Sequence, residues 1–218
     1  MKTYITAIQY AQKISLGVSI LIMLVLPPII VFYPQLIAGE ITQVLYDIAH
    51  FVLFFVMIVR PLADIFTGTN KIRPLVPLRK GFGVLSASII VSFIFAKIIM
   101  NPYGYFAAYG TLKYWSLSNY ALLAHLADVS AVILLITSNN LSKRILGPLW
   151  KKIQKLSYLY FYGSGAYVFF ALGDVKLLVL IFIVTALTLW AYIENKKRRE
   201  EQQRVAAQNI APQTTSTI

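Results

Sequence analysis

The chain has 218 residues, of which 58% are hydrophobic and 13% charged, with a mean hydropathy of +0.70. This composition excludes an ordinary water-soluble domain and places the chain in a bilayer. The lack of cysteine excludes disulfides, thiolate metal sites, iron–sulfur clusters and a cysteine nucleophile, and with only His50 and His125 no metal site is expected.

Taken in order, the apolar runs predict an all-α, polytopic membrane bundle of six transmembrane helices over 1–194. The spans lie at about 14–34, 44–66, 82–101, 119–137, 149–172 and 176–193. Pro27-Pro28 should kink or break the far half of the first span, and Pro61 should end the second. The first run is long and lacks a clear small-residue cleavage site, so it reads as a span rather than a signal peptide. The fifth span opens on an amphipathic basic turn, Trp150-Lys151-Lys152-Ile153-Gln154-Lys155, suited to the headgroup layer. Trp115, Trp150 and Trp190 fall near span ends, as interface anchors do. Residues 195–218 are polar and are expected to form a disordered cytoplasmic tail.

The net charge of +12 is distributed between spans rather than along one face. Lys2, Lys13, Lys71, Arg73, Arg79, Lys80, Lys143, Arg144, Lys151, Lys152, Lys155, Lys196 to Arg199 and Arg204 fall on one side, against Lys113 and Lys176 on the other. The positive-inside rule therefore predicts a multi-pass protein of the cytoplasmic (inner) membrane with both termini cytoplasmic. Anionic membrane lipid is the partner this charge implies, and no nucleic-acid partner is expected because no aromatic–basic module accompanies it.

Two stretches carry a family likeness. One is Arg60-Pro61-Leu62-Ala63-Asp64 with Pro74-Leu75-Val76-Pro77-Leu78-Arg79-Lys80 and Gly83. The other is Leu135-Ile136-Thr137-Ser138-Asn139 followed by Leu146-Gly147-Pro148-Leu149-Trp150-Lys151-Lys152-Ile153-Gln154-Lys155-Leu156-Ser157-Tyr158-Leu159. Together they resemble the ferric-reductase-like transmembrane domain family, nearest to the haem-binding membrane subunits of bacterial periplasmic methionine sulfoxide reductase systems. The likeness covers roughly residues 40 to 175.

The resemblance implies transmembrane electron transfer through haem b, from quinol or a cytoplasmic donor to an outer-face acceptor, with a periplasmic or membrane redox partner protein. It also implies axial histidines on the third span and at two positions on the fifth. The corresponding positions here hold Phe93, Gln154 and Tyr167, none of them histidine. Two readings stay open: a relative that keeps the scaffold without haem, or one that binds its cofactor elsewhere.

Asp47-x-x-His50 on the second span and His125-x-x-Asp128 on the fourth each place an acid and an imidazole on one helical face. Both histidines fall about 10 Å below the outer end of their spans, and Lys97 on the third reaches a similar layer. Asp47, His50, Lys97, His125 and Asp128 thus form a candidate polar cluster. It could bind a quinone headgroup, relay protons, or ligate a displaced haem through His50 and His125. The plainer alternative is helix-packing hydrogen bonds near the interface, with Lys97 snorkelling outward. A non-enzymatic membrane scaffold or partner subunit, or a small transporter using the cluster, are the competing functional classes.

Overall fold

The computed structural model describes residues 2–37, 39–69, 71–116 and 120–210. Among these, the regular structure is helical throughout. The α-helices are α1 Lys2–Phe32, α2 Glu40–Ile65, α3 Leu78–Met100, α4 Pro102–Tyr109, α5 Ala121–Thr137, α6 Asn140–Leu146, α7 Pro148–Ile153, α8 Leu156–Leu172 and α9 Val175–Ile210.

Four of these segments are long and apolar enough to cross a membrane: Thr3–Phe32, Glu40–Ile65, Arg73–Met100 and Val175–Ala207. A fifth arises if α5 and α6, bent by 96° at their junction, count as one. The described chain is therefore a membrane protein with four to five candidate spans rather than an established six. The expected fourth and fifth spans correspond to α5 and α8, each of 17 residues. At 1.5 Å per residue, such a helix is only about 25 Å long.

The shortening has local causes. Asn139 accepts a hydrogen bond from the Ser142 N–H at 2.7 Å and so caps a new helix, α6, across the bend. Gly147, at φ +49°, then ends α6 and hands over to Pro148, the first residue of α7. The expected single helix over 149–172 is thus two, separated at Gln154-Lys155, where the Ser157 amide and hydroxyl both donate to the Gln154 carbonyl.

The prolines break neither helix, and the second does not end at Pro61. Helix α1 runs through Pro27 and Pro28 to Phe32, and α2 continues one turn past Pro61 to Ile65. In the turn that Pro61 disturbs, the Arg79 guanidinium of α3 donates Nε–H to the Val56 carbonyl at 2.8 Å. The carbonyl that Pro61 leaves without a helical amide partner is that of Met57, so the Arg79 bond ties α3 to the adjacent residue rather than replacing the missing bond. Arg60 is paired with Asp64 one turn later, Nε to Oδ2 3.2 Å.

Helices α2, α3, α5 and α8 form the centre, α1 lies along α3, and α9 covers α2 and α8. Every residue from Ser86 to Ile94 of α3 is buried, so this helix is enclosed on all sides rather than along one stripe. Leu53 and Met57 of α2, Ile89 and Val91 of α3, Ala131 of α5, Phe161 of α8 and Val184 of α9 meet in one apolar core. Small residues permit the closest approaches. A Cβ on Gly81 would lie 3.2 Å from the Gln12 carbonyl of α1, and one on Gly163 would lie 3.1 Å from the Leu123 carbonyl of α5.

The stretch expected to be a disordered tail from residue 195 is helical as far as Ile210, while 211–218 lie outside the described residues. Its composition of Glu, Gln, Lys, Arg and Ala favours helix, and Lys196–Glu200 and Lys197–Glu194 pair along it at 4.0 and 3.5 Å. Arg198 fixes it to the bundle, donating from Nη2 to the carbonyls of Asp64 at 2.6 Å and Ile65 at 3.3 Å. These carbonyls belong to the last turn of α2, where no further helical amide is available, so Arg198 serves as its cap.

Candidate functional site

At the end of the bundle opposite Arg198, a cavity of about 500 Å³ opens between α2, α3, α5 and α8. Asp47, His50, Lys97, His125 and Asp128 all line it. The helical period and depth count that put these five residues in one layer thus correspond to one enclosed space. Asp47 and Lys97 are exposed at its rim, His125 and Asp128 are half-buried, and His50 is buried.

The acid–imidazole pairs suggested by spacing do not form. Asp47 accepts from the Gln43 side-chain amide at 3.1 Å, and His50 turns Nδ1 to the Tyr46 carbonyl at 2.8 Å. A carbonyl can only accept, so Nδ1 carries the hydrogen, and in the neutral imidazole Nε2 keeps a lone pair for the cavity the ring lines. His125 lies flat on Tyr114, with centroids 3.3 Å apart and planes 11° from parallel, and both its ring nitrogens are buried without a hydrogen-bond partner. The ion pairs among the described residues are Arg60–Asp64, Lys196–Glu200 and Lys197–Glu194, none of which involves Asp128 or Lys97. A buried polar group left unmatched costs about 1–3 kcal/mol, and His125 carries that cost here.

Aromatic side chains complete the walls. Tyr46, Phe93, Tyr105, Tyr114, Tyr160 and Tyr167 all line the cavity. Tyr46 and Phe93 are stacked at 4.8 Å, planes 17° apart. Tyr105 and Tyr114 come from the connection between α3 and α5, which folds back over the opening. Asn101 caps α4 by accepting from the Gly104 amide at 2.9 Å, and the Trp115 indole donates to the Tyr109 carbonyl at 2.8 Å. Tyr109 and Trp115 sit around the same imidazole, at 5.9 and 6.3 Å. Burial, together with the hydrogen bond to the Tyr109 hydroxyl 3.0 Å away, raises the Tyr105 hydroxyl above the ordinary tyrosine range, so it keeps its proton at neutral pH.

The floor is a hydrogen-bonded link between three helices. Ser86 of α3 donates to the Ala49 carbonyl of α2 at 2.8 Å and meets the Tyr160 hydroxyl of α8 at 3.1 Å. Both side chains are buried, Ser86 completely. Of the tyrosines lining the cavity, sequence reasoning singled out Tyr167 alone, as a position where the resemblance places a haem ligand. The available signal was weak: Tyr160 and Tyr167 lie seven apart on one helical face.

The three positions at which the family resemblance places haem ligands are divided. Phe93 and Tyr167 face this cavity, while Gln154 sits at the break between α7 and α8 with its amide nitrogen buried and unpartnered. Phe93 offers no lone pair and is packed against Tyr46. These residues do not fit a haem with two axial nitrogen ligands. Among the described residues, no group of three or more His, Cys, Asp or Glu is arranged to hold a metal ion.

Of the tryptophans expected as interface anchors, Trp150 donates to the Thr137 carbonyl at 2.9 Å and lies under the Lys143 ammonium at 5.5 Å, while Trp190 packs edge to face with Phe66. No protein-family model, curated protein or solved structure matches the chain.

Proposed function

We propose that this chain is a quinone-binding membrane subunit of the electron-transfer class, built on a ferric-reductase-like scaffold that no longer holds haem at the inherited positions. The observation that carries this reading is the single cavity in which Asp47, His50, Lys97, His125 and Asp128 are set among stacked aromatic rings. Its size falls in the usual range for small-molecule sites, and a lining that combines six Phe and Tyr rings with aliphatic and polar side chains suits a planar headgroup with oxygens at its edges. Oxidation of one quinol to quinone releases two electrons and two protons. The imidazole and carboxylate groups accept the protons, and a periplasmic or membrane redox partner protein accepts the electrons.

The proposal includes the topology. Helices α5 and α8 pack along each other, and 17 residues is the lower limit for a crossing helix, which makes six spans. With the basic residues inside, both termini are cytoplasmic, the cavity lies in the outer half of the inner membrane, and the basic end meets anionic lipid.

The test is to purify the protein in mild detergent, extract bound lipid into organic solvent, and record the visible spectrum of the protein in oxidised and reduced states. Quinone recovered near one per protein, and lost from Asp128→Ala or His125→Ala, supports the reading. Absence of native quinone, together with no binding of an added short-chain quinone, overturns it. A Soret band lost in His50→Ala would instead establish haem held by the cavity histidines.

A further inference from the structure

The hydrogen bonds at the cavity floor have fixed directions, and these select one redox form of the ligand. The Tyr46 carbonyl engages the hydrogen on Nδ1 of His50, so the buried imidazole offers only the Nε2 lone pair. The Ser86 hydroxyl has one hydrogen, which goes to the Ala49 carbonyl. In the Ser86–Tyr160 contact at 3.1 Å, Tyr160 must therefore be the donor. With its hydrogen used, the Tyr160 oxygen can offer the cavity only lone pairs. Both side chains are more than nine-tenths buried, at 7% exposure for His50 and 3% for Tyr160. The floor is thus a pair of acceptors set by backbone carbonyls, whereas the donors, namely the one N–H of a neutral His125, the hydroxyls of the wall tyrosines and Lys97, lie on the walls and at the rim.

We propose that the cavity binds the reduced, hydroxyl-bearing quinol in preference to the quinone, with a ligand hydroxyl donating to His50 Nε2 or the Tyr160 oxygen. This rests on the reading of the cavity as a quinone site. A quinone has only carbonyl oxygens, which would face lone pairs at the floor, whereas a quinol turns an O–H toward them. Mismatched polar groups in a buried site discriminate far more strongly than small differences in size.

The probe is a short-chain ubiquinone and its quinol, titrated anaerobically into the full-length protein in detergent and followed by calorimetry. The expected result is at least tenfold tighter binding of the quinol. In His50→Leu the quinol should weaken until the two forms differ by less than about threefold, while a circular-dichroism spectrum and thermal melt like those of the unmodified protein report an intact fold. Equal or tighter binding of quinone by the unmodified protein overturns the inference and leaves the quinone site standing. A quinol preference that persists in both His50→Leu and Tyr160→Phe overturns the assignment to the floor. Binding of neither form by the unmodified protein overturns the inference and the site together.

Discussion

The imidazole of His125 and the phenol ring of Tyr114 are stacked face to face at 3.3 Å, joining α5 to the connection between α3 and α5. Because neither ring nitrogen of His125 has a hydrogen-bond partner, ring contacts orient the side chain, and this stack is closer than those with Tyr109 and Trp115. Such ring pairs contribute about 0.5–1.5 kcal/mol. Tyr114→Ala should therefore weaken quinone binding by up to about tenfold, whereas Tyr114→Phe, which keeps the ring, should bind within about twofold of the unmodified protein. Calorimetric titration of both variants checks this; equal losses in the two would show that the hydroxyl rather than the ring matters.

At the opposite end, Arg198 caps α2 across more than a hundred residues of sequence. Hydrogen bonds to a charged group contribute about 1.5–3 kcal/mol when sheltered and less when partly exposed. Arg198→Ala should lower stability by about 1–2 kcal/mol on that scale. It should also speed tryptic cleavage at Lys196, Lys197 and Arg199, since the helix beyond the bundle loses its anchor. Limited proteolysis followed by mass spectrometry reads both the rate and the sites, and an unchanged rate would mean that the extension is held by other contacts.

The glycines separate close packing from mere presence in a helix. Gly83 has nothing within 4 Å of a would-be Cβ, so Gly83→Ala should stabilise α3 by about 0.5–1 kcal/mol through helix propensity alone. Gly81→Val and Gly163→Val would each press on a neighbouring helix backbone and should cost about 1–3 kcal/mol. Gly165→Ala meets only the end of the Ile181 side chain, which can turn aside, and should cost less than either. Thermal unfolding in a fixed detergent orders the four.

Removing the two ends of the floor link should have unequal effects. Tyr160→Phe leaves Ser86 bonded to Ala49, so it loses one hydrogen bond, about 1 kcal/mol. Ser86→Ala leaves a fully enclosed tyrosine hydroxyl without its partner and should cost more, about 1–3 kcal/mol. The double variant should be no less stable than Ser86→Ala alone, because the stranded hydroxyl is gone. Additive losses in thermal melts would mean that Tyr160 finds another partner.

How much was legible in the sequence follows from what periodicity records. Ionisable residues are rare in apolar spans, so Asp47, His50, Lys97, His125 and Asp128 stood out, and 1.5 Å per residue was enough to bring them to one depth. Their partners were not legible. His50 bonds to its own helix and Asp47 to Gln43, choices made by side-chain rotamers rather than by spacing. Tyr105 and Tyr114 reach the cavity because a connection folds back, which no helical period encodes. The segment after residue 195 lacked a hydrophobic stripe and so read as disordered, yet its stability rests on local helix propensity and one arginine reaching backbone carbonyls. The break at Gln154-Lys155 also lacked a signal, since neither glycine nor proline marks it.

The lateral position of α1 bears on biogenesis. Its extended partner is α3, which is synthesised only after α1 and α2 have left the ribosome. Helix α1 therefore emerges before the helix it packs on, and its apolar surface, little of it buried even in the finished bundle, is suited to contact lipid. Helices α5 and α8 are shorter, and α5 carries His125 and Asp128; their insertion is best served by pairing with each other as α8 emerges. Pairing of α5 with α8 closes the walls of the cavity, and α9, the next helix in the chain, packs over α2 and α8.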